Sequence, residues 1–427
     1  MLLVLKNKLK GLTQKEHYFL KSMCRKSKDV YNSTLYQMRQ HFFKCGERLT
    51  YATTYHKVKK HHSYQSMPAL TAQQSMKMVD RAYASFFGLL KSKKAGHYVG
   101  EVRLPRYLHK EGYFPFIVPN NCQRWKNEVK VRVPVLLQRK YKLKEFKHPI
   151  PECIRQHKLK EIRIIPKLDA TYFEIEYVYE VEEPEASKGK NCLSIDIGVS
   201  NFATCLDEKS GRSFILDGRE LKSLNRLYNK TKGELQSILA KQGKYSSSHR
   251  IRLLGARRGR QINEYLNQYV NFIIQYCLAN DVGKVIIGEG WLAQNGANRG
   301  EKNNQNFVNL PFAKFAQKLK SKLALYGIDF KAREESYTSK CDHLAGESMC
   351  HHETYLGNRK KRGLFVSSTG VKLNADVNGA LGIMLKEGRG KSLITQLSSG
   401  CVTQPRRIRI GEIRQTSSKR LIKTMFN

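Results

Sequence analysis

Acidic residues are the scarce class in this chain. Asp and Glu number 36 against 77 Lys and Arg, a formal net charge of +41. A compact fold with that excess repels itself unless a polyanion offsets it, and nucleic acid is the obvious one. Such binding weakens steeply with added salt. Long apolar runs are missing as well. None approaches the roughly 18 residues that a spanning helix needs, so no membrane is expected as a partner. Only five residues precede Lys6, too few for a signal-peptide core, and the expected compartment is the cytoplasm. Paired cysteines are absent too: there are 10 cysteines and no C-x-x-C pair. They read as reduced thiols, with Cys192, Cys205 and Cys277 as small core residues. What is present is ample apolar material. A hydrophobic fraction of 40% excludes a disordered chain. At roughly 150 residues each, a chain of this length makes about two to four domains.

The pattern changes along the chain. LLVLK at the start reads as a short strand. From Thr13 to Phe43 the apolar residues recur at helical spacing, with Thr13 and Glu16 placed as a capping box. A second helical stretch follows from Thr71 to Leu90. Lys77 and Arg81, four apart, share a face away from its apolar side. Residues 102–181 read as β, and TYFEIEYVYEV alternates apolar with acidic. RLPRYLHKEGYFPF, with Arg103 and Arg106, mixes cations with rings as a nucleic-acid surface does, although an ordinary solvated β surface could also carry them. The polar stretch EEPEASKGKN leads into a second half of three meandering strands, then alternating helices and strands. That is the RNase H-like order, within an α+β multidomain fold.

Three carboxylates stand on apolar platforms in the second half: Asp196 in LSIDIGVSNF, Glu289 in KVIIGEGW and Asp376 in LNADVNGALGIM. Each has an ordinary reading taken alone: a turn aspartate, a strand-end charge, a helix N-cap. Two at strand tips and one opening a helix, in a chain so poor in acids, point instead to a shared site. Three such groups can hold two Mg²⁺ ions about 4 Å apart for phosphodiester hydrolysis.

SIDIGVSNFAT, VIIGEG, NNQNFVNLPFAKF, ESYTSKC, KKRGLF and NADVNGALGIM together resemble the TnpB family. Its members are RNA-guided DNA endonucleases of bacterial insertion sequences, related to type V CRISPR effectors. The resemblance is dense from about 190 to 386 and weaker in CRKSKDVYN, SMKMVDRAYASFF and LPRY. It implies a β-barrel, wedge-like domain (1–12 and 96–185) with an inserted helical recognition module (13–95). A RuvC-like α/β nuclease domain would follow over 186–387, with a loop insertion at about 340–370 and then a basic, flexible tail over 388–427. It implies Asp196, Glu289 and Asp376 as the catalytic and Mg²⁺-binding residues. The implied partners are a guide RNA from the transposon end and double-stranded target DNA beside a short transposon-adjacent motif. The implied setting is a bacterial cytoplasm, nucleoid-associated when DNA is bound. Arg362 in KKRGLF is a candidate second-shell or phosphate contact.

One departure is plain. The family commonly carries two C-x-x-C zinc knuckles before its third acidic motif. Here Cys341 and Cys350 are remnants, and Ser367, Ser368 and Thr369 stand where cysteines are expected. Hydroxyls do not replace thiolates on Zn²⁺, so zinc is not expected. Three other readings stay open: a nuclease-inactive RNA-guided regulator, a compact type V CRISPR effector, and a guide-free basic nuclease or transposase.

Overall fold

The structure, a computed structural model, describes residues 1–120, 125–245, 247–289, 311–361, 363–397, 404–416 and 418–426. It divides into two compact units, Met1–Glu182 and Glu183–Asn427.

In the first unit, strand β1 (Leu2–Lys8) is followed by helices α1 (Gln14–Cys45), α2 (Tyr51–Val58), α3 (His62–Gln65) and α4 (Ala69–Lys94). Thr13 accepts a hydrogen bond from the Glu16 amide at 3.3 Å, and Glu16 accepts from the Thr13 amide at 2.8 Å. This capping box satisfies two of the amides that a helix start leaves unpaired. The chain then forms β2 (Phe116–Pro119), β3 (Glu128–Arg132), α5 (Val135–Tyr141), β4 (Glu145–Pro149), β5 (Lys158–Lys167) and β6 (Tyr172–Glu180). The sheet order is β1-β6-β5-β2, and β3 and β4 make a separate ladder. Phe173, Ile175 and Tyr177 on β6 are fully buried. Glu174 and Glu176 face the other way and pair with Lys6 of β1 at 2.9 and 3.2 Å. The four helices thus lie between the first strand and the rest of its sheet. Among the described residues this sheet does not close on itself: β1 and β2 are its edges, where a barrel was expected.

The second unit is built on a six-stranded mixed sheet. Its strands are β7 (Asn191–Ile197), β8 (Asn201–Asp207), β9 (Ser213–Asp217), β10 (Val282–Gly288), β11 (Asp329–Arg333) and, much later, β15 (Arg406–Ile408). The order is β11-β10-β7-β8-β9-β15. β7, β8 and β9 are antiparallel, while β10 runs parallel to β7, β11 to β10 and β15 to β9. Helices α6 (Arg219–Lys241) and α7 (His249–Ala279) join β9 to β10, and α8 (Phe312–Ala324) precedes β11. A small meander of β12 (Asn358–Lys361), β13 (Leu364–Val366) and β14 (Lys372–Leu373) leads into α9 (Ala375–Lys386).

Strand alternation gives the sheet two apolar faces. Leu193, Ile195, Val285 and Ile287 pack with α7 and α8. Cys192 and Ile286 pack with Ile383 of α9 on the opposite face. Glu387, just past α9, receives Lys284 and Lys331 at 3.0 and 3.1 Å, together with Arg333, which ties the helix end to β10 and β11.

Residues 388–427, expected to be a flexible tail, are ordered over most of their length. Helix α10 (Lys391–Ile394) precedes β15, and α11 (Ile410–Gln415) and α12 (Ser418–Phe426) follow it. Ile408, Ile410, Leu421 and Ile422 are buried in the main core. The basic residues dominate the composition of this segment, but its few apolar side chains supply the cover for one sheet edge.

Candidate active site

Asp196 is the penultimate residue of β7. It shares the α9 face with Cys192 and Ser194, because side chains alternate along a strand. The chain then turns sharply into β8. A Cβ on Gly198 would stand 2.7 Å from the Asn201 carbonyl oxygen, so the turn needs glycine. Helix α9 crosses this face with its first turn toward the strand tip. Asn374 caps the helix by accepting from the Asp376 amide at 3.0 Å. A Cβ on Gly379 would lie 2.9 Å from Asp196 Oδ2, so the helix backbone lies directly against that carboxylate.

Asp196 keeps some exposure as a residue, but its carboxyl is surrounded by protein. Burial pushes its pKa well above the usual range, and the charges of Asp376 and then Glu335 push the same way. Arg359 and the Ile197 amide oppose them. Asp376 accepts a hydrogen bond from Asn201 Nδ2, and Arg359 stands 3.8 Å from its other oxygen. Asn201 is held in turn by Arg407 at 2.6 Å, and Arg407 also reaches Asp217 at 3.3 Å. A cleft of about 370 Å³ opens beside Asp376, lined by Gly198, Asn201, Arg219, Arg359 and Arg407 among others.

Glu289 follows the last residue of β10, and its amide donates to the Arg333 carbonyl at 2.8 Å. The parallel register pairs Ile287 with Ile195. Gly288 is therefore the neighbour of Asp196, and Glu289 the neighbour of Ile197. The position beside Asp196 is filled from elsewhere: a Cβ on Gly288 would stand 2.2 Å from Glu335 Oε2. The structure thus brings Asp196 and Asp376 together with Glu335, which sequence reasoning missed, and sets Glu289 one residue further along. The available signal was the acidic pair that ends the IDFKARE strand pattern. Among the described residues, no three His, Cys, Asp or Glu side chains are grouped closely enough to hold one metal ion.

Arg362 lies outside the described residues. In the neighbouring loop Asp342 is fully buried and accepts from Ser367 Oγ at 2.9 Å, the Ser368 amide at 2.7 Å and Ser368 Oγ at 3.0 Å. The serines that replace cysteines are thus bonded to a carboxylate. Cys341 is buried, its thiol donating to the Ser348 carbonyl at 3.4 Å, and Cys350 is exposed beside His352. In the first unit, Lys77 lies over the Tyr51 ring at 5.3 Å, and Arg103 is paired with Glu101. Arg81 and Arg106 are exposed.

Two family descriptions match in tandem: "Probable transposase" over residues 176–291, and "Cas12f1-like, TNB domain" over residues 312–383. The first span holds Asp196 and Glu289, and the second holds Glu335 and Asp376. A TnpB-like protein of Acidianus two-tailed virus is 24% identical over 402 residues, covering 84% of this chain and 81% of that protein. Among solved structures, the cryo-EM structure of a Cas12f1–sgRNA–target DNA complex superposes with a TM-score of 0.54 at 14% identity, covering 87% of this chain and 83% of the other. That likeness establishes a shared mixed α and β fold. Both family descriptions fall on the unit that carries the carboxylates, and the TnpB-like relative aligns along most of both chains, so the chain is similar to the TnpB family over most of its length.

Proposed function

We propose that this chain is an RNA-guided DNA endonuclease that hydrolyses phosphodiester bonds at Asp196, Glu289 and Asp376. The observation that carries the reading is the buried Asp196 carboxyl under the first turns of α9, facing Asp376, in a chain of net charge +41. Carboxylates held together against their own repulsion fit a hard divalent cation, whose charge offsets theirs. Bound Mg²⁺ would supply polarised water and charge neutralisation at the phosphate. The chain's own residues supply the rest. Asn201 orients Asp376. Arg219 and Arg407, both anchored on Asp217, and the exposed Arg359 line the cleft where phosphates would sit. Gly198 lets a nucleic-acid backbone approach the strand tip.

Several other features support the reading. The strand order of the second unit is that of an RNase H-like, RuvC-type nuclease. The first unit, with four helices set between strands of one sheet, suits a wedge and recognition module for a guide RNA and target DNA. No described helix is long and apolar enough to cross a membrane. A guide from the transposon end, and cleavage beside a transposon-adjacent motif, are part of the same proposal. A nuclease-inactive guided DNA-binding protein is the second reading. It draws on the absence, among the described residues, of three convergent metal ligands.

Two experiments test the proposal. RNA copurifying with the expressed chain is sequenced, and a defined guide is expected. Asp196→Ala is expected to keep the RNA and to lose cleavage by at least about 10³-fold, as removal of a central catalytic group does. Chelation should stop the wild type and Mg²⁺ should restore it. Full cleavage by Asp196→Ala would refute the site.

A further inference from the structure

We infer that Arg407, carried on the C-terminal strand β15, is a positioning residue for the proposed cleavage: it fixes which way round the Asn201 amide stands, and so sets the donor that Asp376 receives. The inference rests on the proposed nuclease reading and gives the C-terminal segment a part in it.

The two ends of the amide carry it. An asparagine side chain ends in a donor and an acceptor of nearly the same shape, whereas a carboxylate only accepts and a guanidinium only donates. Asn201 stands between one of each. Its Nδ2 donates to Asp376, and its Oδ1 accepts from Arg407 Nη2 at 2.6 Å. Turned over, the amide would set oxygen against the carboxylate and N–H against the guanidinium, losing both bonds to charged groups at once. Arg407 thus gives the amide an anchor that is independent of Asp376.

Arg407 is itself placed by the fold. β15 runs parallel to β9, pairing Arg407 with Ile215 and Ile408 with Leu216. Ile408 is buried in the core with α7 and α8. Alternation then sends Arg407 to the other face, the α9 face that carries Asp196. Across β8 and β9, Asn201 is paired with Asp217. Asp217 is buried and accepts from Arg407 Nη1 at 3.3 Å, while Arg219 donates to the same carboxylate through Nε at 2.9 Å and Nη2 at 2.6 Å. One prong of the Arg407 fork is thus anchored on the sheet, and the other reaches Asn201. The preceding cation shows the contrast: Arg406 is exposed and faces Glu412, in its own segment, at 3.8 Å. Arg407, Asn201 and Asp376 all line one cleft. A lysine, with a single terminal nitrogen, does not reproduce the two-pronged grip.

The test is a double-mutant cycle on the RNA-bound full chain. Each complex is assembled on target DNA without Mg²⁺, target affinity is measured, and Mg²⁺ is then added to start the cut. Arg407→Met is expected to slow cleavage about tenfold to 100-fold with target affinity unchanged. Asn201→Ala should slow it to a similar extent. Adding Arg407→Met to Asn201→Ala should cost at most about twofold more, because one residue acts through the other. Arg407→Lys, which keeps the charge beside Asp217, should recover part of the rate only while Asn201 is present, and it carries the cycle if the methionine chain does not fold. Equal losses in both backgrounds would overturn the inference. So would a loss of target affinity at an unchanged cleavage rate, the mark of a phosphate contact, or a wild-type rate in Arg407→Met. Asp196→Ala runs alongside. If it is inactive while Arg407→Met and Asn201→Ala cut as the wild type does, the inference fails and the nuclease site stands. If Asp196→Ala cuts at the wild-type rate, the site assignment itself fails and takes the inference with it.

Discussion

Gly379→Ala separates the chemistry of the site from the stability of the fold. Gly379 is inside α9, where alanine is favoured over glycine by about 1 kcal/mol. The new Cβ would stand 2.9 Å from Asp196 Oδ2, 3.4 Å from its Cγ and 3.9 Å from Ser339 Cβ. The last two contacts are tolerable, but the first is too short by about half an ångström against ordinary packing distances. Asp196 is short and must rotate away, which costs about 0.5–1.5 kcal/mol for an off-rotamer side chain. The gain in helix propensity and this strain nearly cancel, so the urea midpoint should stay close to that of the wild type. Cleavage should not. Displacing a reacting group by up to an ångström costs about tenfold to 100-fold in rate. The assay is guide-directed cleavage of a plasmid target, run beside urea unfolding of the same preparation. Wild-type cleavage by a folded Gly379→Ala chain would show that the position of Asp196 is not needed. A loss of more than about 2 kcal/mol of stability would show that the helix yields and the carboxylate does not, which refutes the offset.

Three further outcomes are expected. Asp342→Ala removes the acceptor of hydrogen bonds from Ser367, Ser368 and the Ala345 amide and should destabilise the loop by about 2–4 kcal/mol, read by protease nicking between 340 and 370. Ending the chain at residue 403 exposes core around Ile408, Ile410, Leu421 and Ile422. At about 1.5–3 kcal/mol for each buried aliphatic, the loss rivals the whole stability of a domain, and soluble yield should collapse. Burial opposes the charge of Glu387, but hydrogen bonds from Arg333, Lys284 and Lys331 outweigh it and hold the carboxyl at about 2, below the ordinary 4.5. A depressed carboxyl stabilises the fold above its unfolded value, and that contribution is lost as pH falls from 4.5 toward 2. Urea midpoints should fall over this window in the wild type and less in Glu387→Gln.

Local pattern made much of the molecule legible. TYFEIEYVYEV alternates because one face is buried, and Phe173, Ile175 and Tyr177 are fully buried in it. Thr13 and Glu16 cap α1 through bonds that span three residues. Asp196 and Asp376 stood out because acids are rare and their platforms apolar. Glu335 did not stand out. Next to Glu334 it reads as one of two charges at a strand end, and only the β7–β10 register and the missing side chain of Gly288 distinguish them. Nor could the tail be read locally. Arg406, Arg407 and Ile408 become a strand only because β9 offers an open edge.

The amino-acid order alone determined the periodicities, the caps, the missing zinc thiolates and two carboxylates, all set by interactions within a few residues. Which carboxylates meet, which edge the C-terminal strand completes, and how Asp342 gathers Ser367 and Ser368 were decided by tertiary structure. Those contacts join residues far apart in the chain. Their geometry depends on strand register and helix placement, which the whole fold sets through its packing.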